Sequence, residues 1–417
     1  MPKRARDPGR LLVSVVMLFF FSAFLLIAVK DNPLRWEGFL LAAAVPCMLW
    51  IGTMVLPRLF PADKLLLTLT NFLCALGVLI LYSTDHARGI QQAVYYGVGI
   101  PCMLVCILLV RWIKDRWKWP VRLMFPVSLA LLVLPLIIGR ETNGARNWFY
   151  VGSLSVQPSE IVKLSLLLIL AYYMSRRKML PWLVFSVGGL GLLMLQKDLG
   201  TALMYYAVTL FLFYASTSNL PLTLAGLAGG AGAAVAGYKM FAHVKVRVAI
   251  WLNPWSDYEG TGFQIVQSLM AIASGGPFGV GLGLGNPKVI PVYYTDMIFA
   301  VICEQFGIIF GLCVLLIYVA LVWRGFTIAM QARYRFHALL AMGCTVLLGV
   351  QTFVIIGGVI KLIPLTGVTM PFVSYGGTSL VSSLCLMGLL QGVASLNEDD
   401  LKEDARLAAI GETAYEP

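Results

Sequence analysis

Three short stretches concentrate the side chains that can do acid–base and anion chemistry in a chain that is otherwise mostly apolar. The first runs Gly144-Ala145-Arg146-Asn147-Trp148-Phe149 and then Gln157-Pro158-Ser159-Glu160-Ile161-Val162-Lys163. Pro158 followed by an acid reads as a helix start. Glu160 and Lys163, three apart, share a face of that helix and can pair. Arg146 and Lys163 suit an anionic headgroup; a capped helix with one stabilising ion pair is the plainer account. The second stretch is Gln196-Lys197-Asp198-Leu199-Gly200-Thr201. Asp198 there fits an ordinary N-cap as well as a site role. The third is the segment 241–296, too long for an ordinary connection and therefore a functional candidate.

That third segment holds Arg247 and Lys245, the aromatic residues Trp251, Trp255, Tyr258 and Phe263, and the carboxylate of Asp257. The rings suit the membrane–water interface. A short amphipathic helix is predicted from Phe263 to Ala273, with Gln264, Gln267 and Ser268 on one flank. Asp257 is the best general-base candidate, a role worth roughly 10²–10⁴ in rate. Nearby cations would stabilise charge on a phosphate leaving group. An Asx-type turn before Gly260 is the structural alternative for the same aspartate. The glycine-rich run Gly275 to Gly285 could cradle phosphates through its amides or serve as a flexible turn.

The elements that must position these residues follow from composition. Of 417 residues, 59% are hydrophobic and 12% charged, and the mean hydropathy is +0.84. About 25% charge is usual in soluble domains, so a soluble globular protein is excluded, as is disorder. An all-α polytopic membrane protein remains. Twelve transmembrane helices are predicted near 11–29, 37–56, 64–84, 93–113, 120–139, 158–174, 180–196, 199–216, 221–240, 297–323, 337–360 and 370–395, with a large extracytoplasmic loop at 241–296.

With the N-terminus inside, 19 of the 31 Lys and Arg residues fall on the cytoplasmic side, so both termini are expected there. The net charge of +11 is then a topology signal, not a nucleic-acid footprint. The tail beyond Leu396 holds seven of the 20 acids and reads as a solvated end. All eight cysteines lie in apolar segments and the three histidines are scattered, so no metal site is assigned.

The motifs together resemble one family. Gly144-Ala145-Arg146-x-Trp148, Gln157-Pro158-Ser159-Glu160-x-x-Lys163 and Asp198-Leu199-Gly200-Thr201 come first. Then follow Asn253-Pro254-x-x-Asp257-x-x-Gly260-x-Gly262-Phe263-Gln264-x-x-Gln267-Ser268 and Thr295-Asp296-x-Ile298-Phe299-Ala300-x-x-x-Glu304. Pro364-Leu365-Thr366-Gly367 and Pro371-Phe372-Val373-Ser374-Tyr375-Gly376-Gly377 close the series. In order and spacing the chain resembles the SEDS proteins (shape, elongation, division and sporulation), the RodA, FtsW and SpoVE-like membrane glycosyltransferases.

The resemblance implies polymerisation of lipid II into glycan strands at the outer face of the bacterial cytoplasmic membrane, with undecaprenyl pyrophosphate released. It implies Asp257 as the catalytic base toward the acceptor sugar 4-hydroxyl. Arg146, Glu160, Lys163, Lys197, Asp198, Arg247, Gln264, Gln267, Ser268, Ser374, Tyr375 and Gly376 are the expected substrate-binding set. A class B penicillin-binding protein is the implied partner. No cofactor is assigned, and a divalent cation (Mg or Mn) at the pyrophosphate stays open.

The chain departs from the common pattern at Lys197 (usually Pro), Val292, Gln305, Ile355 and Lys361 (usually Gly). Residues 1–63 read as an N-terminal tail with two extra helices, 64–395 as a ten-helix core and 396–417 as an acidic cytoplasmic tail, similar to a 12-span Gram-positive subgroup. A lipid II flippase or transporter, and a non-catalytic scaffold for a penicillin-binding protein, are the competing readings. A transporter needs charges along a central path, whereas the enzyme needs an exposed Asp257.

Overall fold

The structure, a computed structural model, describes residues 8–30, 35–114, 116–142, 145–151 and 154–413. Gly144 of the first motif and the basic residues Lys3, Arg4 and Arg6 lie outside the described residues. The elements run α1 (Pro8–Lys30), α2 (Trp36–Trp50) continuing through a π-turn, Ile51–Val55, into α3 (Leu56–Leu59), α4 (Lys64–Thr84), α5 (His86–Ile113) and α6 (Lys118–Ile138). A small antiparallel sheet follows, β1 (Arg140–Thr142), β2 (Ala145–Val151) and β3 (Leu154–Val156). Then come α7 (Pro158–Ser175), α8 (Met179–Leu195), α9 (Leu199–Thr217), α10 (Leu220–Met240) and α11 (Ala242–Leu252). The chain ends with a 3-10 turn, Pro254–Asp257, then α12 (Phe263–Gly275), α13 (Ile298–Gln331), α14 (Arg335–Val359) and α15 (Gly377–Thr413).

The chain is an all-α polytopic membrane protein. Among the described residues, eleven helices are long and apolar enough to cross a bilayer. The twelfth expected span, α8, has 17 residues and reaches only about 26 Å at 1.5 Å per residue, the short limit for crossing. In lipid, a helix is how a single segment satisfies its own backbone, so each apolar run folds this way whatever its side chains. Acidic and amide caps mark where runs begin: Asp63 accepts from the Leu66 amide, Asp85 from Arg88, Asp198 from Thr201 and Asn219 from Leu222.

The helices α4, α7, α14 and α15 are mostly buried and form the centre. There α15 lies so close to α5 that a Cβ on Gly388 would stand 2.5 Å from the Met103 carbonyl oxygen, the small-residue packing that membrane helices use. Contacts sort the loops into two ends. At one, Asp63 pairs with Arg324, Arg111 with Asp399 at 3.0 Å and Arg333 with Asp404 at 3.2 Å. At the other, Lys30 Nζ donates to the Gly283 carbonyl at 2.9 Å and Gln92 Nε2 to the Ser374 carbonyl at 3.0 Å.

The acidic tail beyond Leu396 continues the last helix, and its residues 401–408 are exposed. The helix α15 carries on to Thr413, held by the Asp399 and Asp404 pairs and by Lys402–Glu398 along its own face. The predicted helix after Phe263 is present and extends to Gly275.

The glycine-rich run is neither a free phosphate cradle nor a loose turn. The Val280 amide donates to the Glu304 carbonyl at 2.9 Å and the Gly281 amide to Gln305 at 3.0 Å, while the Ile308 amide donates back to Gly276 at 2.9 Å. This pairing forces α13 open at Gly307, whose φ of +87° suits glycine. A Cβ at Gly307 would lie 2.2 Å from the Pro277 carbonyl oxygen, so the run and the broken helix are one built unit.

Candidate functional site

The site is assembled where the N-terminal ends of α7, α9 and α15 meet the loops at that end of the bundle. Pro158 opens α7, as expected, and puts Glu160 and Lys163 one turn apart. Their side chains touch at 2.5 Å and are only 8% and 2% exposed. The Ser382 hydroxyl of α15 donates to the same Glu160 oxygen at 2.7 Å. Asp198 is both a cap and a hub. Its Oδ1 accepts from the Thr201 amide at 3.1 Å, and its Oδ2 accepts from Asn147 Nδ2 at 3.0 Å and Gln157 Nε2 at 3.1 Å. Three of the motif stretches therefore converge on one carboxylate. Tyr205 joins the two networks: its hydroxyl donates to the Ser159 carbonyl at 2.7 Å, and it lies within electrostatic reach of Glu160 and Asp198. Arg146 is exposed on β2, and its amide donates to the Gln196 carbonyl at 3.1 Å, tying the hairpin to the Asp198 turn.

Facing this is a second group on α11 and the loops beside it. Half-buried Arg247 donates to the Thr366 carbonyl at 3.2 Å. Burial pulls its guanidinium below the ordinary value, and Asp296 and Asp198 pull it back up. Gly367, at φ +76°, leaves the room: a Cβ there would be 3.6 Å from Asp296 Oδ2 and 3.9 Å from Arg247 Nη2. Lys197, exposed with φ +60°, and Arg247 both act on His243, whose pKa is lowered first by burial and then by these cations. Lys197 and Arg247 thus bring two of the expected residues to one rim. Asp296, His243, Asn147, Gln157 and Ser382 belong to the site without having been assigned to it. Asp296 and Gln157 stood inside the quoted motifs, whereas nothing in the sequence marks Ser382.

Asp296 is pushed up to about 6 by burial, against the Thr295 hydrogen bond and the Arg247 charge. A carboxyl raised above its ordinary value favours the folded state when protonated, so that stability is full below about 3.9 and is lost as pH rises through about 6. Asp296→Asn removes the titration. We expect its melting temperature relative to wild type to rise by about 1–3 °C between pH 5 and pH 7.5. An offset that does not change with pH would show that Asp296 does not titrate there.

Asp257 ends the 3-10 turn one short step beyond α11 and is exposed. Its Oδ2 accepts from the Thr261 amide at 2.7 Å and the Thr261 hydroxyl at 2.6 Å. The hydroxyl bond, then the amide bond, hold the carboxyl below the usual range. The Asx-type turn and the exposed, ionised carboxylate are both present. On α12, Gln267 Nε2 donates to the Tyr258 hydroxyl at 3.1 Å, Gln264 is half-buried with Nε2 unpartnered, and buried Ser268 donates to its own helix at the Gln264 carbonyl. Ser374 folds its own loop: its hydroxyl donates to the Thr295 carbonyl at 2.6 Å and accepts from the Met370 amide at 2.8 Å. The Tyr375 amide donates to the Tyr294 carbonyl at 2.8 Å, the Tyr375 hydroxyl bonds Gln91, and the Gly376 amide reaches Gln92 Oε1 at 3.4 Å. Among the described residues, no group of three or more His, Cys, Asp or Glu side chains is placed to hold a metal ion.

Comparison with known proteins bears on this arrangement. The FtsW/RodA/SpoVE profile, described as a cell cycle protein, matches residues 63–399. The peptidoglycan glycosyltransferase RodA of Mycobacterium tuberculosis is 32% identical, over 93% of this chain and 90% of its own. Stage V sporulation protein E of Bacillus subtilis is 34% identical, over 80% and 96%. A chain from a structure on the coordination of polymerization and crosslinking by a peptidoglycan synthase complex superposes with a TM-score of 0.69 at 30% identity, over 81% and 98%. With six motifs in register, their side chains gathered at one face, and these matches along most of its length, the chain belongs to the FtsW/RodA/SpoVE family, the SEDS proteins it resembles.

Proposed function

We propose that this chain is a peptidoglycan glycosyltransferase of the bacterial cytoplasmic membrane. It polymerises lipid II at the outer face, with both termini cytoplasmic, in cell elongation, division or sporulation. The observation that carries the reading is the pairing of a cationic rim, Lys197 and Arg247 around Asp198, with an exposed and ionised Asp257 one short step further along the chain. The relative named above as a peptidoglycan glycosyltransferase supports it.

In this reading Arg146, Lys197 and Arg247 hold the donor pyrophosphate, with Glu160, Lys163 and Asp198 beneath them. Gln264, Gln267 and Ser268 of α12 and the Ser374-Tyr375-Gly376 turn shape the saccharide side. Asp257 takes the proton of the acceptor sugar 4-hydroxyl as that oxygen bonds the donor anomeric carbon. The bond from that carbon to the pyrophosphate breaks, with inversion, and undecaprenyl pyrophosphate leaves. The cations offset the charge that develops on the leaving group. A class B penicillin-binding protein is the fitting partner, since the solved relative acts within a synthase complex that couples polymerization to crosslinking.

The test is purified full-length chain, alone and with such a partner, given lipid II. We expect glycan polymer and released undecaprenyl pyrophosphate. Movement of lipid II across the bilayer with no polymer would establish the flippase reading instead. Neither movement nor polymer, with enhanced crosslinking by the partner, would establish a scaffold.

A further inference from the structure

We propose that Lys361 is a positioning residue for the Asp257 segment, acting as a latch between the end of α14 and the end of α11. The proposal rests on the polymerase reading of Asp257 given above. The helix α11 has no fully buried residue, and its apolar contact with the core is limited to half-buried side chains such as Ile250. To that is added a set of polar contacts to the single ledge that follows α14. Arg247 donates to the Thr366 carbonyl at 3.2 Å, Trp251 Nε1 to the Lys361 carbonyl at 3.2 Å, and Lys361 Nζ to the Leu252 carbonyl at 3.3 Å. The last two are reciprocal, side chain to main chain in both directions. They fall on the last two residues of α11, and the turn Pro254–Asp257 begins two residues later.

Lys361 occupies a position that glycine would suit better. The helix α14 ends with the Leu362 amide donating to the Gly357 carbonyl at 2.7 Å and the Lys361 amide to Gly358 at 3.2 Å. This is the glycine-favouring left-handed helix ending, and Lys361 meets it with φ +62°. A lysine strained in this way is accounted for by where its ammonium goes: onto a terminal carbonyl of α11, the end of a helix that attracts cations. A reacting group displaced by about 1 Å can lose about 10² in rate, and the contacts at the tip of α11 are the ones that stand immediately before the Asp257 turn, so loosening there reaches Asp257 most directly.

The discriminating variant is Lys361→Gly. It relaxes the end of α14 and keeps the carbonyl that Trp251 uses, while removing the side chain that carries the ammonium. In the full chain with its partner, we expect kcat for lipid II polymerisation to fall about tenfold with KM within about twofold, and the melting temperature to be unchanged or higher. Hydrogen exchange, measured without substrate, should accelerate at the amides of residues 249–257. Lys361→Arg, which can reach the same carbonyl, should recover most of the rate. Unchanged exchange and unchanged kcat in the glycine variant would overturn the latch. Faster exchange with unchanged kcat would overturn its positioning role. Because exchange is read without lipid II, a wild-type chain that makes no polymer would overturn the polymerase reading, and the positioning role with it, while leaving the tether measurable.

Discussion

Asp257→Asn is expected to abolish glycan polymer, lowering kcat by about 10²–10⁴, with the melting temperature and lipid II binding unchanged. The turn around the residue explains why the loss would be chemical. Asn keeps an oxygen for the Thr261 amide and hydroxyl, which are the side chain's partners. The rest of the turn runs through main chain: the Gly260 and Gly262 amides both donate to the Asp257 carbonyl. Even the crowding is conserved, since a Cβ at Gly260 would meet the side-chain oxygen at 2.4 Å, a room that Asn fills as Asp does. What disappears is the proton acceptor. The Thr261 bonds hold the carboxyl below its ordinary range, so the base is already ionised at neutral pH. The measurement is polymer length and amount from lipid II at saturating partner, with a thermal melt of each protein. Full activity in the variant would remove Asp257 from the chemistry.

Much of this site could be read from neighbouring residues, and the unread part lies in contacts between distant ones. The Glu160–Lys163 pair, the Asp198 cap and the helix from Phe263 each follow from spacings of three or four, and each is present. The hairpin at 140–156 was not read, because Trp148 and Phe149 serve equally as interface anchors and as strand residues. The helix α11 was missed because it falls inside the segment read as a loop, and the structure gives it only a half-buried face, with no fully buried residue. The acidic run after Leu396 reads as a solvated end since its charges are dense, and residues 401–408 are exposed; what density does not show is that the run continues α15 and sets Asp399 against Arg111 and Asp404 against Arg333. The Arg247–Thr366 contact spans 119 positions, and Ser382 reaches Glu160 across 222. No local pattern carries such information. Asp296 illustrates the boundary: its type and place were visible, but its half-burial is a property of the fold, as is the Arg247 charge that acts on it.

Breaking the Glu160–Lys163 pair should have the largest effect on stability. Both side chains are nearly sealed from solvent, in a helix that crosses the membrane. Glu160→Gln or Lys163→Met alone leaves a charge with no counterion at that depth, a loss of about 3–5 kcal/mol. We expect neither single variant to accumulate as folded protein at the wild-type level. The double variant, Glu160→Gln with Lys163→Met, removes both charges, keeps an oxygen for the Ser382 hydroxyl and replaces the lysine stem with one of similar length. Coupled sites of this kind are strongly non-additive, so the double variant should regain most of the lost stability. If the pair only holds α7 to α15, polymerisation should return with the fold. Our expectation is that it does not. The pair shares Tyr205 with the Asp198 hub, and two neutral side chains there change the field under the cationic rim that must hold a pyrophosphate. A folded double variant with wild-type turnover would reduce Glu160 and Lys163 to packing. A folded double variant that binds its partner yet makes no polymer would place them in the site.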